Sequence, residues 1–122
     1  MRHVLDTNSS IYHLTGKLAE PLPSDDVFVS VITEIELLSH PLITPDEESR
    51  ILEFLSSLET VELLPAVRDA AIRLRREHRL KLPDAIIAAT ALVLDAELLT
   101  NDARLLRIPG LRARALALSD AS

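Results

Sequence analysis

His3-Val4-Leu5-Asp6-Thr7-Asn8 sets the reading of the whole chain. A short, largely apolar run reads as a strand, and the polar residues after it open a helix. Thr7 or Asn8 is the expected cap, with Ile11, Leu14 and Leu18 following at helical spacing. The same unit recurs downstream. Val27-Phe28-Val29 is a second strand, leading into a helix from Ser30 to Ser39 that Pro41 stops. Glu97-Leu98-Leu99-Thr100 is a further strand, followed by Asn101-Asp102 and a short helical turn.

The stretches between these units fit the same alternation. Thr44-Pro45-Asp46-Glu47-Glu48 opens a helix, with Thr44 as cap, Pro45 in the first helical position and acids in the first turn. It is expected to run to about Leu58. Val61-Glu62-Leu63-Leu64 reads as a strand closed by Pro65, and a basic helix spans Ala66 to Arg79. Pro83 and Asp84 open a helix from Ala85 to Leu94 whose residues are apolar or small all round except Thr90, so it is expected to be buried on every side. Ala113 to Leu118 reads as a last edge strand. Strands alternating with helices predict an α/β layer fold with a mostly parallel sheet. The short apolar strands agree with a sheet covered on both faces. In such sheets ligands bind beyond the carboxyl ends of the strands, where Asp6 and Asp102 stand.

With 122 residues the chain fits a single domain, 1–122. Its only Tyr and Phe residues are Tyr12, Phe28 and Phe54, so the core must be aliphatic. There is no cysteine, which excludes disulfides, thiolate zinc sites and cysteine nucleophiles. No apolar run approaches the roughly 18 residues that span a bilayer. Asp6 also arrives too early for a signal-peptide core. A soluble, cytoplasmic protein is expected, with no membrane partner. The net charge of -6 argues against coating nucleic acid through bulk charge. That charge is unevenly spread. Between Ala19 and Glu62 stand eleven acids and one base, Arg50, whereas ten bases lie between Ala66 and Arg114. An acidic half beside a basic half suits a protein that holds cations in one place and phosphates nearby; solvated helix faces would look the same.

Each acid has an ordinary reading when taken alone. Asp6 and Asp102 suit turns, Asp84 suits a helix start, and Glu36 suits an exposed helix face. Together they form a pattern. Leu5-Asp6-Thr7-Asn8, then Thr33-Glu34-Ile35-Glu36, then Leu82-Pro83-Asp84-Ala85-Ile86-Ile87-Ala88-Ala89-Thr90-Ala91, then Leu98-Leu99-Thr100-Asn101-Asp102 with Ile108-Pro109-Gly110-Leu111, resemble the four motifs of PIN domains in order and spacing. The resemblance covers nearly the whole chain and is closest to the VapC toxins of bacterial and archaeal toxin–antitoxin pairs.

That resemblance implies a three-layer α/β/α fold with a central, mostly parallel sheet of four to five strands. It implies that Asp6, Glu36, Asp84 and Asp102 converge as catalytic and metal-binding residues around Mg²⁺ or Mn²⁺. The implied activity is endoribonuclease hydrolysis of RNA phosphodiester bonds, by the toxin of a toxin–antitoxin pair. A catalytically silent module that binds RNA or protein is the alternative. The chemistry is coherent, because hard cations take oxygen ligands and four carboxylates in one pocket would repel one another without one. Asp6 and Asp102 are expected as ligands on rigid strand ends, with Glu36 and Asp84 as ligands or orienters of water. Thr7, Asn8, Thr100 and Asn101 are candidate hydrogen-bonding neighbours.

Glu34 and Glu36 lie about 200° apart on a helix, so both cannot face one pocket. The apolar stripe of Val31, Ile35 and Leu38 does not choose between them; the family's Thr-x-x-Glu spacing chooses Glu36. Many relatives carry a further acid and an aromatic after the fourth motif. Here Ala103-Arg104-Leu105-Leu106 follow, which leaves one ion or two open and makes Arg104 a candidate phosphate contact. Arg68, Arg75 and Arg79 can share a helix face with Arg76 and Lys81 nearby, either as a phosphate track or as a solvated face. So few aromatics argue against base stacking, leaving backbone charge and the shape of a structured RNA such as tRNA. His3, His13, His40 and His78 have no metal-ligand spacing and are read as non-catalytic. The implied partners are an antitoxin covering the acidic pocket and a second copy in a homodimer, with the helix around Ile51, Leu52 and Leu55 as a candidate contact; burial in the chain's own core explains that helix equally well.

Overall fold

The computed structural model describes residues 1–120, so the last two residues of the expected 1–122 domain lie outside the described residues. Five strands form one sheet: β1 (His3–Leu5), β2 (Val27–Ser30), β3 (Glu59–Val61), β4 (Glu97–Leu99) and β5 (Ala113–Arg114). Their order is β3-β2-β1-β4-β5, and every pairing is parallel. Six helices connect them: α1 (Thr7–Leu14), α2 (Val31–Leu38), α3 (Pro45–Ser56), α4 (Pro65–His78), α5 (Leu82–Val93) and α6 (Ala103–Leu106). This is the expected α/β/α architecture.

The period-2 alternation of the strands assigns the layers. Leu5 lies level with Val29 and Leu99 across the sheet, and all three pack with Leu37, Phe54 and Leu55 of α2 and α3. Val4 and Leu98 point the other way, into a core built with α4 and α5. In α5, Ala85 through Ala91 are all buried. Its alanines let sheet and α4 approach from both sides, as the apolar composition predicts. Its two ends are exposed, at Leu82, Leu92 and Val93.

Several expected boundaries move. α1 stops at Leu14 instead of reaching Leu18, because Gly16 takes φ +70, a left-handed conformation that glycine adopts without strain. Leu18 instead forms an antiparallel bridge with Leu118. The third strand is Glu59–Val61, not Val61–Leu64. The register against Phe28, Val29 and Ser30 ends at Val61, and Leu63 and Leu64 lie exposed. α3 ends at Ser56 rather than Leu58. Its start follows the expected chemistry. Thr44 accepts from Glu47 N while the Glu47 carboxylate accepts from Thr44 N, a reciprocal cap. The expected last strand, Ala113 to Leu118, is only two residues long, and the chain beyond it is held by other means.

Chain order creates a switch point. From β1 the chain builds outward through β2 to β3, then returns through α4 and α5 to place β4 on the other side of β1. Connections that leave in opposite directions open a crevice beyond the carboxyl ends of β1 and β4, the general position of ligand sites in open parallel sheets.

Candidate metal and phosphate site

Asp6 follows β1 directly, with no loop residue between, and so serves as the N-cap of α1 itself. Its Oδ1 accepts from Ser9 N at 2.8 Å. The expectation of Thr7 or Asn8 as cap is corrected by one residue, because the strand runs straight into the helix. Asp6 is buried, and its Oδ2 accepts from the Thr100 hydroxyl at 2.5 Å. The fully buried Thr100 also supports the second acid, since its Oγ1 accepts from Asp102 N at 3.0 Å. One hydroxyl thus ties the acid after β1 to the acid after β4.

Asp102 caps α6, its Oδ1 accepting from Arg104 N and Leu105 N. Between the two acids' supports sits Asn101, whose side chain turns away from the crevice. Its amide donates to Leu116 O at 3.0 Å and its carbonyl accepts from Leu116 N at 2.7 Å. The expected role of Asn101 as a neighbour in the pocket is therefore replaced by a strand-like pairing that fastens the C-terminal segment behind Asp102. That segment continues along residues 17–19 through Ala19 N to Ala117 O and Ser119 N to Lys17 O.

Glu36 stands one turn beyond Thr33 on α2 and reaches the crevice from the opposite helical layer. Its Oε1 accepts from the Thr7 hydroxyl at 2.6 Å, and Thr7 Oγ1 lies 3.1 Å from Thr33 Oγ1. Asp84, in the first turn of α5, makes no hydrogen bond or ion pair with any described residue. Asp6, Thr7, Asn8, Glu36, Asp84, Ile87 and Asp102 line one small cleft of about 130 Å³. Glu36, not Glu34, is the glutamate of motif two that faces it. Ile87 supplies an apolar wall that no charge-based reading would single out; its place one turn after Asp84 is the signal that marks it.

The electrostatics match this crowding. Partial burial raises the Asp84 carboxyl above the usual aspartate range, and the charges of Asp102, Asp6 and Glu36 raise it further. Lys81, at the start of the same helix, opposes the shift. A first-turn acid is normally favoured by the helix dipole; here burial and three like charges outweigh it.

The residues fit a hard divalent cation by donor chemistry. Asp102 Oδ2, Glu36 Oε2 and both oxygens of Asp84 make no hydrogen bond with a described residue and remain available as donors. Among the described residues, no group of three or more His, Asp or Glu side chains closes tightly around one point. Mg²⁺ does not require that, since it typically uses one or two carboxylates and keeps several waters.

The remaining candidates lie elsewhere. Arg104 does not reach into the cleft; its Nη2 donates to the carbonyls of His78 and Arg79 at the end of α4. Arg75 Nε donates to Leu80 O, so part of the basic face serves the same corner. Arg79 itself takes φ 54 as the cap that ends α4. His3 is buried between Asp25 and Glu97, at the amino end of the sheet. His13 packs on Phe54, and His40 accepts from Leu42 N. None of the four histidines lines the acidic cleft. No helix of the described residues is long and apolar enough to cross a membrane.

Comparison with known proteins bears on the fold and the family. A toxin–antitoxin complex from Klebsiella pneumoniae contains a chain 30% identical, with TM-score 0.75 over 89% of this chain and 94% of that one. A chain of VapBC2 from Rickettsia felis, solved with a promoter DNA fragment, is 24% identical with TM-score 0.79, covering 94% and 98%. A chain of VapBC-5 from Mycobacterium tuberculosis is 25% identical with TM-score 0.66, covering 95% and 98%. No curated protein sequence matches. The sequence model of the PIN domain matches residues 3–111, nearly the whole chain, and the chain belongs to the PIN-domain family.

Proposed function

We propose that the chain is a metal-dependent endoribonuclease, the toxin of a VapBC-type pair. It would hydrolyse RNA phosphodiester bonds at the cleft formed by Asp6, Glu36, Asp84 and Asp102. One observation carries the reading: four acids from four separate segments line a single cleft at the switch point of the sheet. Such crowding costs stability unless a cation offsets it. Mg²⁺ or Mn²⁺ held there would polarise a phosphoryl oxygen and acidify a water.

The chain's own residues divide the remaining work. Asp6 and Asp102 are fixed by caps and by Thr100, so they form the rigid side of the site. Glu36 is aimed by Thr7. Asp84 has no partner among the described residues and is the acid most dependent on what binds. Ile87 limits water on one wall.

The proposed partners follow from the surface. A groove of about 200 Å³ lined by Ile11, Leu14, Leu37 and Ile51 ends on Glu36, the residue it shares with the acidic cleft. An antitoxin segment lying in this groove would reach the acids, and the neighbours solved as toxin–antitoxin complexes support that partner. On α3 Leu52 is exposed and open to a partner, whereas Leu55 follows the other reading of this helix and packs in the core. Lys81, the N-cap of the helix that carries Asp84 and close enough for its charge to act on that carboxyl, is the proposed phosphate contact. A homodimer, a cytoplasmic location and a single domain over 1–122 complete the proposal.

The test is cleavage of total small RNA by purified protein freed of antitoxin, with Mg²⁺ or Mn²⁺ against EDTA and Asp84→Asn as control. Discrete metal-dependent products that vanish in the variant are expected. Folded protein that cleaves no RNA, including structured RNA such as tRNA, would transfer the reading to a silent binding module.

A further inference from the structure

Thr33 is wholly buried on α2, and its hydroxyl has one partner. Thr90, also buried within a helix, donates to Ile86 O one turn back at 2.8 Å, the common local solution. Thr33 instead meets Thr7 Oγ1 across the gap between α2 and α1. The direction of that contact follows from counting hydrogens. A threonine hydroxyl carries one. Thr7 places its hydrogen on Glu36 Oε1 at 2.6 Å, the length of a hydroxyl-to-carboxylate bond. Only a lone pair of Thr7 is left for Thr33, so Thr33 is the donor. The chain of bonds therefore runs outward from core to cleft, from Thr33 to Thr7 to Glu36, each link polarising the next.

We propose that Thr33 is a positioning residue for Glu36, acting through Thr7. The inference rests on the ribonuclease reading above and deepens it. Glu36 is an exposed side chain with several rotatable bonds, and it shares its cleft with three further acids, Asp6, Asp84 and Asp102, so among the described residues there only Thr7 holds it inward. Thr7 alone could hold it, but a free Thr7 hydroxyl can rotate toward other acceptors. A donor fixed in the core occupies the Thr7 lone pair and leaves its hydrogen one direction to point. Thr33 and Glu36 are three apart on one helix, so a single element carries both the anchor and the group it aims.

The test uses the full chain as wild type, Thr33→Val, Thr33→Ser, Thr7→Val and the double variant Thr7→Val/Thr33→Val. Mn²⁺ affinity is measured by calorimetry, RNA cleavage is resolved into kcat and KM, and unfolding midpoints check that each variant folds. Thr33→Val is expected to weaken Mn²⁺ binding and lower kcat by about tenfold, with KM held within about twofold, and Thr33→Ser to restore both. On the Thr7→Val background the same change is expected to do nothing further, because its path to Glu36 is already cut. If valine disturbs folding, Thr33→Ala against Thr33→Ser isolates the hydroxyl, since both lack the methyl. Wild-type Mn²⁺ affinity and kcat in a folded Thr33→Val protein would overturn the inference. So would an equal loss on both backgrounds, which would assign Thr33 to packing alone. Absence of RNA cleavage by the wild type, with the Mn²⁺ pattern intact, would remove the ribonuclease reading and keep the relay.

Discussion

Replacing Thr100 with valine removes one hydroxyl and alters little else in shape, and its cost can be worked from the contacts. The Asp6 carboxylate is buried, and its Oδ2 loses the donor that stands 2.5 Å away. A hydrogen bond to a charged group contributes about 1.5–3 kcal/mol, and because Ser9 N still bonds the other oxygen the loss falls near the middle, about 2–2.5 kcal/mol. Asp102 N loses its acceptor as well. That amide is only part-buried and can turn to water, which limits its share to about 0.5–1 kcal/mol. The sum is about 3 kcal/mol, on the order of 10 °C in melting temperature for a domain of this size. Urea unfolding at pH 7 without divalent cations measures it directly, with Thr100→Ser as the control that keeps the hydroxyl and loses only a methyl. A loss below about 1 kcal/mol, or equal losses in valine and serine, would refute the claim that this hydroxyl holds Asp6 in place.

Three further outcomes are expected. Asp84→Asn should raise stability near neutral pH in the absence of metal while abolishing RNA cleavage. The sign follows from the raised carboxyl: above its folded value the ionised form is penalised, and the penalty is relieved as pH falls through that value. The gain should therefore vanish below the usual aspartate value of about 3.9, and urea midpoints across pH report it. Mn²⁺ at about a hundred times its dissociation constant should stabilise the wild type by about 2.7 kcal/mol, with little effect on Asp84→Asn; equal shifts in both would place the ion elsewhere. Lys81→Ala should lower the salt slope of RNA binding by about one, whereas Arg104→Ala should leave that slope unchanged. Arg104→Ala should instead cost about 1 kcal/mol in unfolding, because its guanidinium is already committed to the carbonyls of His78 and Arg79.

The legible parts of the fold were those written in local chemistry. Thr44-Pro45 with Glu47 predicted a capped helix start, and the reciprocal cap is there. The run Ala85 to Leu94 predicted a buried helix because only Thr90 among its side chains is polar, and it is buried from Ala85 to Ala91 but exposed at Leu92 and Val93. Elements whose limits depend on a neighbour were harder to read. Glu59-Thr60 looks nothing like a strand, yet Phe28 and Val29 supply the partner groups that make it one, while the more apolar Leu63-Leu64 finds no neighbour. The four acids could be named from the resemblance to the family motifs, and Thr7 and Thr100 beside them as neighbours that do bond Glu36 and Asp6, but Asn101, named with them, goes elsewhere. Asn101 and Asp102 are adjacent, and nothing in the order of residues says that one turns to Leu116 and the other to the cleft. Thr33 likewise looks like an ordinary helical threonine until α1 is set against it.

The fastening of Leu116 by Asn101 gives the molecule a defined mechanical weak point. Tension applied to the chain beyond residue 119 meets the short pairing of residues 117–119 with 17–19 first, then the paired bonds on Asn101, before it reaches the two-residue strand β5. Asn101 is covalently bonded to Thr100 and Asp102, so that load passes into the support of the acids while β1, β2 and β4 still hold. Under pulling, whether by an unfolding protease or a tethered probe, the site should be dismantled ahead of the sheet, and the chain would be disarmed before it is unfolded.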